Sequence, residues 1–259
     1  MEEALGRTQR IKCSPDGRFL LNIGCGPRTH GDWNNLDFSP YAILGPRPRL
    51  ARVLRSLRLL SAERFENAMN VDPEIIHRDV RTGLGFPDDS FDVVFHSHFI
   101  THLERNVAVA VGRECRRVLK PGGVLRAVVP DLEVIVTKYQ EAIAGLESGD
   151  PTAANSHREA TEDLFELMVR RDPYGTSRQS RLVRFLELML RGGVDKTGER
   201  RQWHYDRFSM KEMLENSGFQ NCEVAGPDEG RIHGWADFHL DRNTDGSIHI
   251  PDSLYIEAW

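Results

Sequence analysis

The sequence predicts an α/β fold: a doubly wound, seven-stranded, mostly parallel sheet with a helical insertion late in the chain. Three observations predict it. Short apolar runs alternate with helical periodicity between residues 19 and 130. Near-continuous apolar strands separated by helices mean a parallel sheet covered on both faces. A glycine pair follows the first apolar run, where open sheets of this kind place a ligand loop. From residue 132 to 191 the pattern is mostly helical, and two more strand signals close the chain.

The elements follow in order. Residues 1–18 form a leader that ends near the turn "SPDG". The first five strand signals are "FLLNIG" (19–24), "NNLDF" (34–38), "EIIHRDV" (74–80), "FDVVFHS" (91–97) and "VLRAVVP" (124–130). Between the last two, Val107, Val111, Cys115, Val118 and Leu119 recur at helical spacing, with Pro121-Gly122-Gly123 expected to stop that helix. In the helical stretch, "RLVRFLELML" puts Leu182, Phe185, Leu186 and Met189 on one stripe ahead of Gly192-Gly193. "FSMKEMLENSGF" carries a capping-box pattern, Ser209 with Glu212, and ends at Gly218. "NCEVAG" (221–226) and "SLYIEAW" (253–259) are the last two strands. The expected division is a core of 19–131 and 205–259, interrupted by a helical lid of 132–204.

Composition excludes several classes. The 259 residues carry a net charge of −5, so nothing global points to nucleic acid. Cys13, Cys25, Cys115 and Cys222 are scattered without a CxxC pair, which argues against a zinc ribbon or a disulfide framework. "MEEALGRTQRIK" lacks an apolar core, and no apolar run approaches the ~20 residues of a membrane span. The expectation is a cytoplasmic protein. Nothing in the sequence assigns an oligomeric state.

The stretch "FLLNIGCGPRTHGDWNNLDFSP" carries the first functional signal. Gly24 and Gly26 let a ligand approach the backbone closely. The dinucleotide fingerprint needs a third glycine where Thr29 stands, which weakens a nicotinamide reading. Asp37 ends the second strand, where a carboxylate can take both ribose hydroxyls. Asp79 ends the third strand signal, and "FPDDSFDVVFHS" and "ECRRVLKPGGVLRAVVPD" follow.

Together these ordered motifs, over residues 19–133 and most closely over 86–131, resemble the class I S-adenosylmethionine-dependent methyltransferases, whose fold is Rossmann-like. The resemblance implies S-adenosyl-L-methionine as cofactor. It implies that Asn22, Gly24, Cys25 and Gly26 line its methionine end, that Asp37 holds the ribose, and that Asp79 faces the adenine amino group with Val80 beside the ring. His96 and Ser97 would end the fourth strand next to the methionine portion. One feature departs from the parent pattern: the run from Gly26 to Asp37 is short for a parallel crossover and holds Pro27 and Gly31. A loop or single turn is expected there, with Trp33 packed against it, as in a bacterial subgroup with short glycine loops.

The next segment, 47–64, reads as a basic amphipathic helix, with Leu50, Val53, Leu54, Leu57 and Leu60 opposite Arg47, Arg49, Arg52, Arg55 and Arg58. Such a helix can touch an anionic membrane surface or steer an acidic substrate. Packing over the sheet or cofactor is the favoured reading, and this helix is expected to stand in for the missing crossover helix.

"HSHFITH" sets His96, His98 and His102 within seven residues. The first two are expected to share a strand face. The run resembles the start of the metallo-β-lactamase signature, but Ile100 and Thr101 stand where that pattern needs Asp and His. A metal site is therefore not expected. The nucleobase and glutamine amine methyltransferases carry Asn/Asp-Pro-Pro-aromatic here, and Ser97-His98-Phe99-Ile100 does not match. Methyl transfer to a hydroxyl needs alignment and a base, and histidine suits that near neutral pH. His98, His102 and His204 are the candidate bases. Phe99, Asp131, Trp203, Tyr205 and Arg207 are the candidate acceptor-binding residues. The expected activity is metal-independent O-methylation of a hydroxyl or enol on a small molecule, such as a natural-product intermediate or a saccharide. N- or C-methylation, a non-catalytic cofactor-binding partner and a zinc hydrolase are the rival readings.

Overall fold

Each short strand alternates its apolar side chains between two covers, and that alternation builds the sheet. The computed structural model describes residues 11–168, 201–243 and 245–259. The expected 182–189 stripe with Gly192-Gly193, and most of the leader, lie outside them. The strands are β1 Leu20–Ile23, β2 Asn34–Asp37, β3 Ile76–His77, β4 Phe91–Ser97, β5 Leu119–Pro130, β6 Cys222–Ala225 and β7 Ser253–Ala258. Their spatial order is β3-β2-β1-β4-β5-β7-β6. The first five run parallel, and β7 is antiparallel to both neighbours. The order reverses between β1 and β4, so a crevice opens beyond their carboxyl ends.

One face is covered by helices. Leu21, Ile23, Val94, Leu125 and Ile256 pack under α4 (Arg105–Val118) and a later helix, Arg207–Asn216, which supply Val111, Cys115, Met210, Met213 and Leu214. Two sequence boundaries need correcting here. α4 stops at Val118, and Pro121-Gly122-Gly123 lies inside the irregular start of β5, where the β4 register shifts between Phe91 and Val93. The capping box sits one turn earlier than expected. Asp206 takes the N–H groups of Phe208 and Ser209, and the Ser209 hydroxyl takes the Asp206 N–H. A carboxylate at the N-cap lets the helix begin before Ser209.

Among the described residues the opposite face is covered without an α-helix. Residues 24–33 form turns, as the short crossover predicts. Trp33 leaves them fully buried against Phe95, Trp235 and Phe238, with Leu20, Val93, Val124, Val128, Ile232 and Leu240 around it. The β6–β7 connection therefore fills the place of the first crossover helix. Arg126, fully buried on β5, ties that connection down. It donates to Asp241 at 2.9 Å and Glu257 at 2.8 Å, reaches the carbonyls of Gly226 and Glu229, and lies 4.5 Å from the Trp235 ring centre.

The 47–64 segment is not that cover. It breaks into α2 (Pro48–Ser56) and α3 (Ala62–Asn70), after a short α1 (Pro40–Leu44). Arg58 turns left-handed (φ 58°) between them, and Ser61 caps α3. Ala51 and Leu60 pack with Leu44 and Ala68, whereas Leu50, Val53 and Leu57 are exposed. β3 is also shorter than 74–80, because Asp79 already caps a 3-10 turn, Val80–Thr82. Two helices, α5 (Leu132–Glu147) and α6 (Ala153–Met168), pack on each other after β5, and α7 is the Arg207–Asn216 helix. Among the described residues no helix is long and apolar enough to cross a membrane.

Candidate functional site

β1 delivers the glycine loop to the crevice. Gly24 and Gly26 both have left-handed backbones, at φ 62° and 52°. They differ in what lies above them. A Cβ on Gly24 would sit 2.4 Å from the Phe99 ring, so its missing side chain makes room for Phe99. A Cβ on Gly26 would meet nothing within 4 Å among the described residues, so Gly26 faces open space there. Its N–H donates to Asp37 Oδ2 at 2.7 Å. Asp37 is buried at the end of β2, and its other oxygen accepts the Ser39 N–H. Each carboxylate oxygen keeps a lone pair for a further donor.

The remaining residues of the first set fall in three places. Asn22 is buried and braces the loop from below, donating to Arg28 O at 3.1 Å and Asn35 Oδ1 at 3.2 Å. Cys25 packs with Ala42, Val71 and Ile75, and burial pushes its thiol pKa up. Asp79 holds Arg81 in a two-pronged ion pair, which lowers the carboxyl's pKa, and Val80 belongs to the core. Phe38, unanticipated from the sequence, stands about half exposed beside Asp37, stacked on His77 and under the Arg81 guanidinium.

Arg28 holds the loop from above. Its guanidinium donates to the carbonyls of Leu240 (3.0 Å), His239 (2.6 Å) and Arg242, and reaches His249 Nδ1 at 3.1 Å. The glycine loop and the β6–β7 connection are thus one unit.

The β4 end carries the histidines. His96 is in register with Ile23 and Ala127 on the helix-covered face, 2% exposed, and burial lowers its pKa to about 4. His98 does not share that strand face. β4 ends at Ser97, and His98 turns left-handed (φ 52°) while donating its N–H to Val128 O at 2.8 Å. Burial first, then the nearby positive charge of Arg201, lowers the His98 imidazole to about 3. His98 Nε2 meets Ser253 Oγ at 2.9 Å. Ser97 pairs with Val128, and His102 closes a 3-10 turn, Ile100–His102.

The 201–206 stretch lies against this turn, since Gln202 and Trp203 both donate their N–H to Thr101 O. His98 and Arg201 are therefore neighbours, and His204 follows on the same stretch. Trp203 is partly exposed under the Arg105 guanidinium. Tyr205 corrects an expectation: it is 1% exposed within the helix-side core, and burial pushes its phenol to about 12. Arg207 is exposed and pairs with Glu133 at the surface. Asp131 caps α5 through the Glu133 N–H, with burial raising its carboxyl. Among the described residues no three His, Cys, Asp or Glu side chains form a metal-holding group.

Comparison with known proteins adds the following. Residues 47–127 match the family described as "Methyltransferase domain". The chain is 31% identical over 115 residues to a probable methyltransferase, ltbC, of Aspergillus luteorubrus, covering 41% of this chain and 38% of that protein. It is 36% identical over 92 residues to a highly reducing polyketide synthase, rstn3, of Aspergillus nomiae, covering 35% of this chain and 3% of that protein. The chain thus spans well under two thirds of either relative. An S-adenosylmethionine-dependent methyltransferase of Archaeoglobus fulgidus superposes with a TM-score of 0.42 at 12% identity, over 92% of this chain and 84% of that one. A putative O-methyltransferase of Nostoc punctiforme superposes with a TM-score of 0.42 at 12% identity, over 92% and 51% of the two chains.

Proposed function

Because the chain carries a class I S-adenosylmethionine-dependent methyltransferase domain, we propose that it transfers a methyl group to a hydroxyl or enol oxygen of a small molecule. The observation that carries this reading is the pairing of Gly26 with Asp37. An unobstructed left-handed glycine and a buried carboxylate stand together at the strand ends beside the point where the sheet order reverses.

The residues present suit an adenosyl group. The spare lone pairs of Asp37 accept the ribose hydroxyls. The exposed Phe38 ring offers an apolar face to adenine, and Asp79 supplies an acceptor for its amino group. The 24–26 backbone would line the methionine portion. Bound S-adenosylmethionine supplies an electrophilic methyl group on a sulfonium. The chain must then orient the acceptor, exclude water and take a proton.

His98 is the proposed base. It follows β4 directly before Phe99, whose ring packs on Gly24. It is neutral at physiological pH and has Arg201, His102 and His249 close by. Helices α5 and α6 and the 201–204 stretch form the proposed lid, with Phe99, Trp203 and Asp131 toward the acceptor. The fungal relatives, one of them a polyketide synthase, support a small natural-product acceptor. A cytoplasmic location is part of the same proposal.

Calorimetric titration with S-adenosylmethionine and S-adenosylhomocysteine tests the reading. Saturable binding of both is expected, weakened at least tenfold in Asp37→Ala, about 1.4 kcal/mol. Equal affinity in the variant would remove the ribose role.

A further inference from the structure

Two residues without glycine's freedom hold left-handed backbones on either side of one hydrogen bond. His98 (φ 52°) leaves β4, and Asp252 (φ 56°) enters β7. The bond between them runs from His98 Nε2 to Ser253 Oγ at 2.9 Å. Strain of this kind persists where the surrounding structure enforces it, and it concentrates at functional sites.

The serine decides which ring nitrogen carries the proton. A hydroxyl has one hydrogen to give. That of Ser253 goes to Ile250 O at 2.8 Å. Toward His98 the serine oxygen can then only accept, so Nε2 must hold the ring N–H. A neutral imidazole has one N–H, which leaves Nδ1 bare. Among the described residues His98 Nδ1, which is buried, has no hydrogen-bond partner. Burial keeps the ring neutral, and among the described residues the charged or titratable groups acting on it are Arg201, His249, His102 and His96, with no carboxylate among them.

We propose that Ser253 is a positioning residue that locks His98 in the Nε2–H tautomer, so that Nδ1 accepts first a hydrogen bond and then the proton from the methyl acceptor. This rests on the methyltransferase reading. It restricts the acceptor to a group that carries a proton: a hydroxyl, an enol or a protonated nitrogen donor, not an already ionised oxygen. In the step, the acceptor's O–H bond breaks and its proton passes to Nδ1. The oxygen lone pair forms the bond to the methyl carbon. The pair of the broken carbon–sulfur bond stays on sulfur, and the imidazolium later loses the Nδ1 proton to solvent while Nε2–H stays on Ser253.

The test is a long-range 1H–15N correlation on the full chain labelled at histidine nitrogen, with the His98 signals identified by their loss in His98→Gln. The pair of nitrogen shifts reports the tautomer directly, without turnover. The expected wild-type spectrum shows His98 as neutral Nε2–H from pH 8 to pH 5. Ser253→Ala should convert it to a mixture or to the Nδ1–H form, and Ser253→Thr should restore the wild-type pattern. S-adenosylhomocysteine affinity should stay within twofold in Ser253→Ala, showing that the site is folded. A wild-type Nδ1–H tautomer, or an unchanged tautomer in Ser253→Ala, would overturn the lock. A lock that holds in a protein that binds no adenosyl ligand would remove the methyltransferase reading and with it the acceptor role of Nδ1.

Discussion

The two faces of the sheet are covered by different means. On one face α4 and α7 lay regular apolar stripes over Leu21, Ile23, Val94 and Leu125. On the other, an irregular connection of turns and one 3-10 segment covers Leu20, Val93, Phe95 and Val128 with two large rings, Trp235 and Phe238, packed on Trp33, and a buried ion network. The helical face needs only burial, because its backbone groups satisfy one another. The irregular face must satisfy carbonyls that no helix pairs, and Arg126 does this at Gly226 and Glu229 while Arg28 does it at His239 and Leu240. Charge and hydrogen bonding replace periodicity there. The same connection then becomes the support of the glycine loop.

The largest expected effect comes from breaking the ion network. Asp241 accepts from both Arg126 and Trp235, and Asp241→Ala leaves a fully buried guanidinium short of a partner. Denaturant unfolding should show a loss of about 3–5 kcal/mol. A loss under 1 kcal/mol would mean that the irregular face is held by its rings alone.

A smaller effect separates the helical face. The His96 imidazole titrates near 6.5 when unfolded and at about 4 in the fold, because burial disfavours its charged form. Between those values the unfolded chain binds the extra proton, so stability falls as pH drops through that window. From pH 7 to pH 5 this one group accounts for about 2 kcal/mol. His96→Gln should therefore lose less stability than wild type over the same interval in urea unfolding. Parallel losses would place the acid sensitivity elsewhere.

The contrast between the faces also explains what the sequence shows. The strand segments along the chain, the turn-only crossover and α4 were legible, since a period of two or 3.6 is a local property. The cover over Trp33 was not, because residues 226–252 have no period. Its signal was an arginine in the middle of "VLRAVVP", a buried strand: Arg126 requires buried carboxylates, and they stand 115 and 131 residues away. The amphipathic 47–64 segment misled for the same reason. Its pattern is local, whereas its partner is not, and Leu50, Val53 and Leu57 end up exposed. In the site, Gly26 and Asp37 were legible because they close adjacent strands. Ser253 was not, because only the order β4-β5-β7 brings it to His98 across 155 residues. Tyr205 looked like an acceptor contact because its neighbours are polar, yet it is a core ring.

The central claim is that the β6–β7 connection does the work of the missing helix by holding the glycine loop through Arg28. Titration of Arg28→Ala with S-adenosylhomocysteine tests it most directly, with the sheet's integrity followed by far-ultraviolet circular dichroism. The account predicts a native spectrum and an affinity lowered about tenfold or more, about 1.4 kcal/mol. Wild-type affinity in a folded Arg28→Ala chain would contradict it, and would show that the loop keeps its shape through Asn22, Asn35 and Asp37 alone.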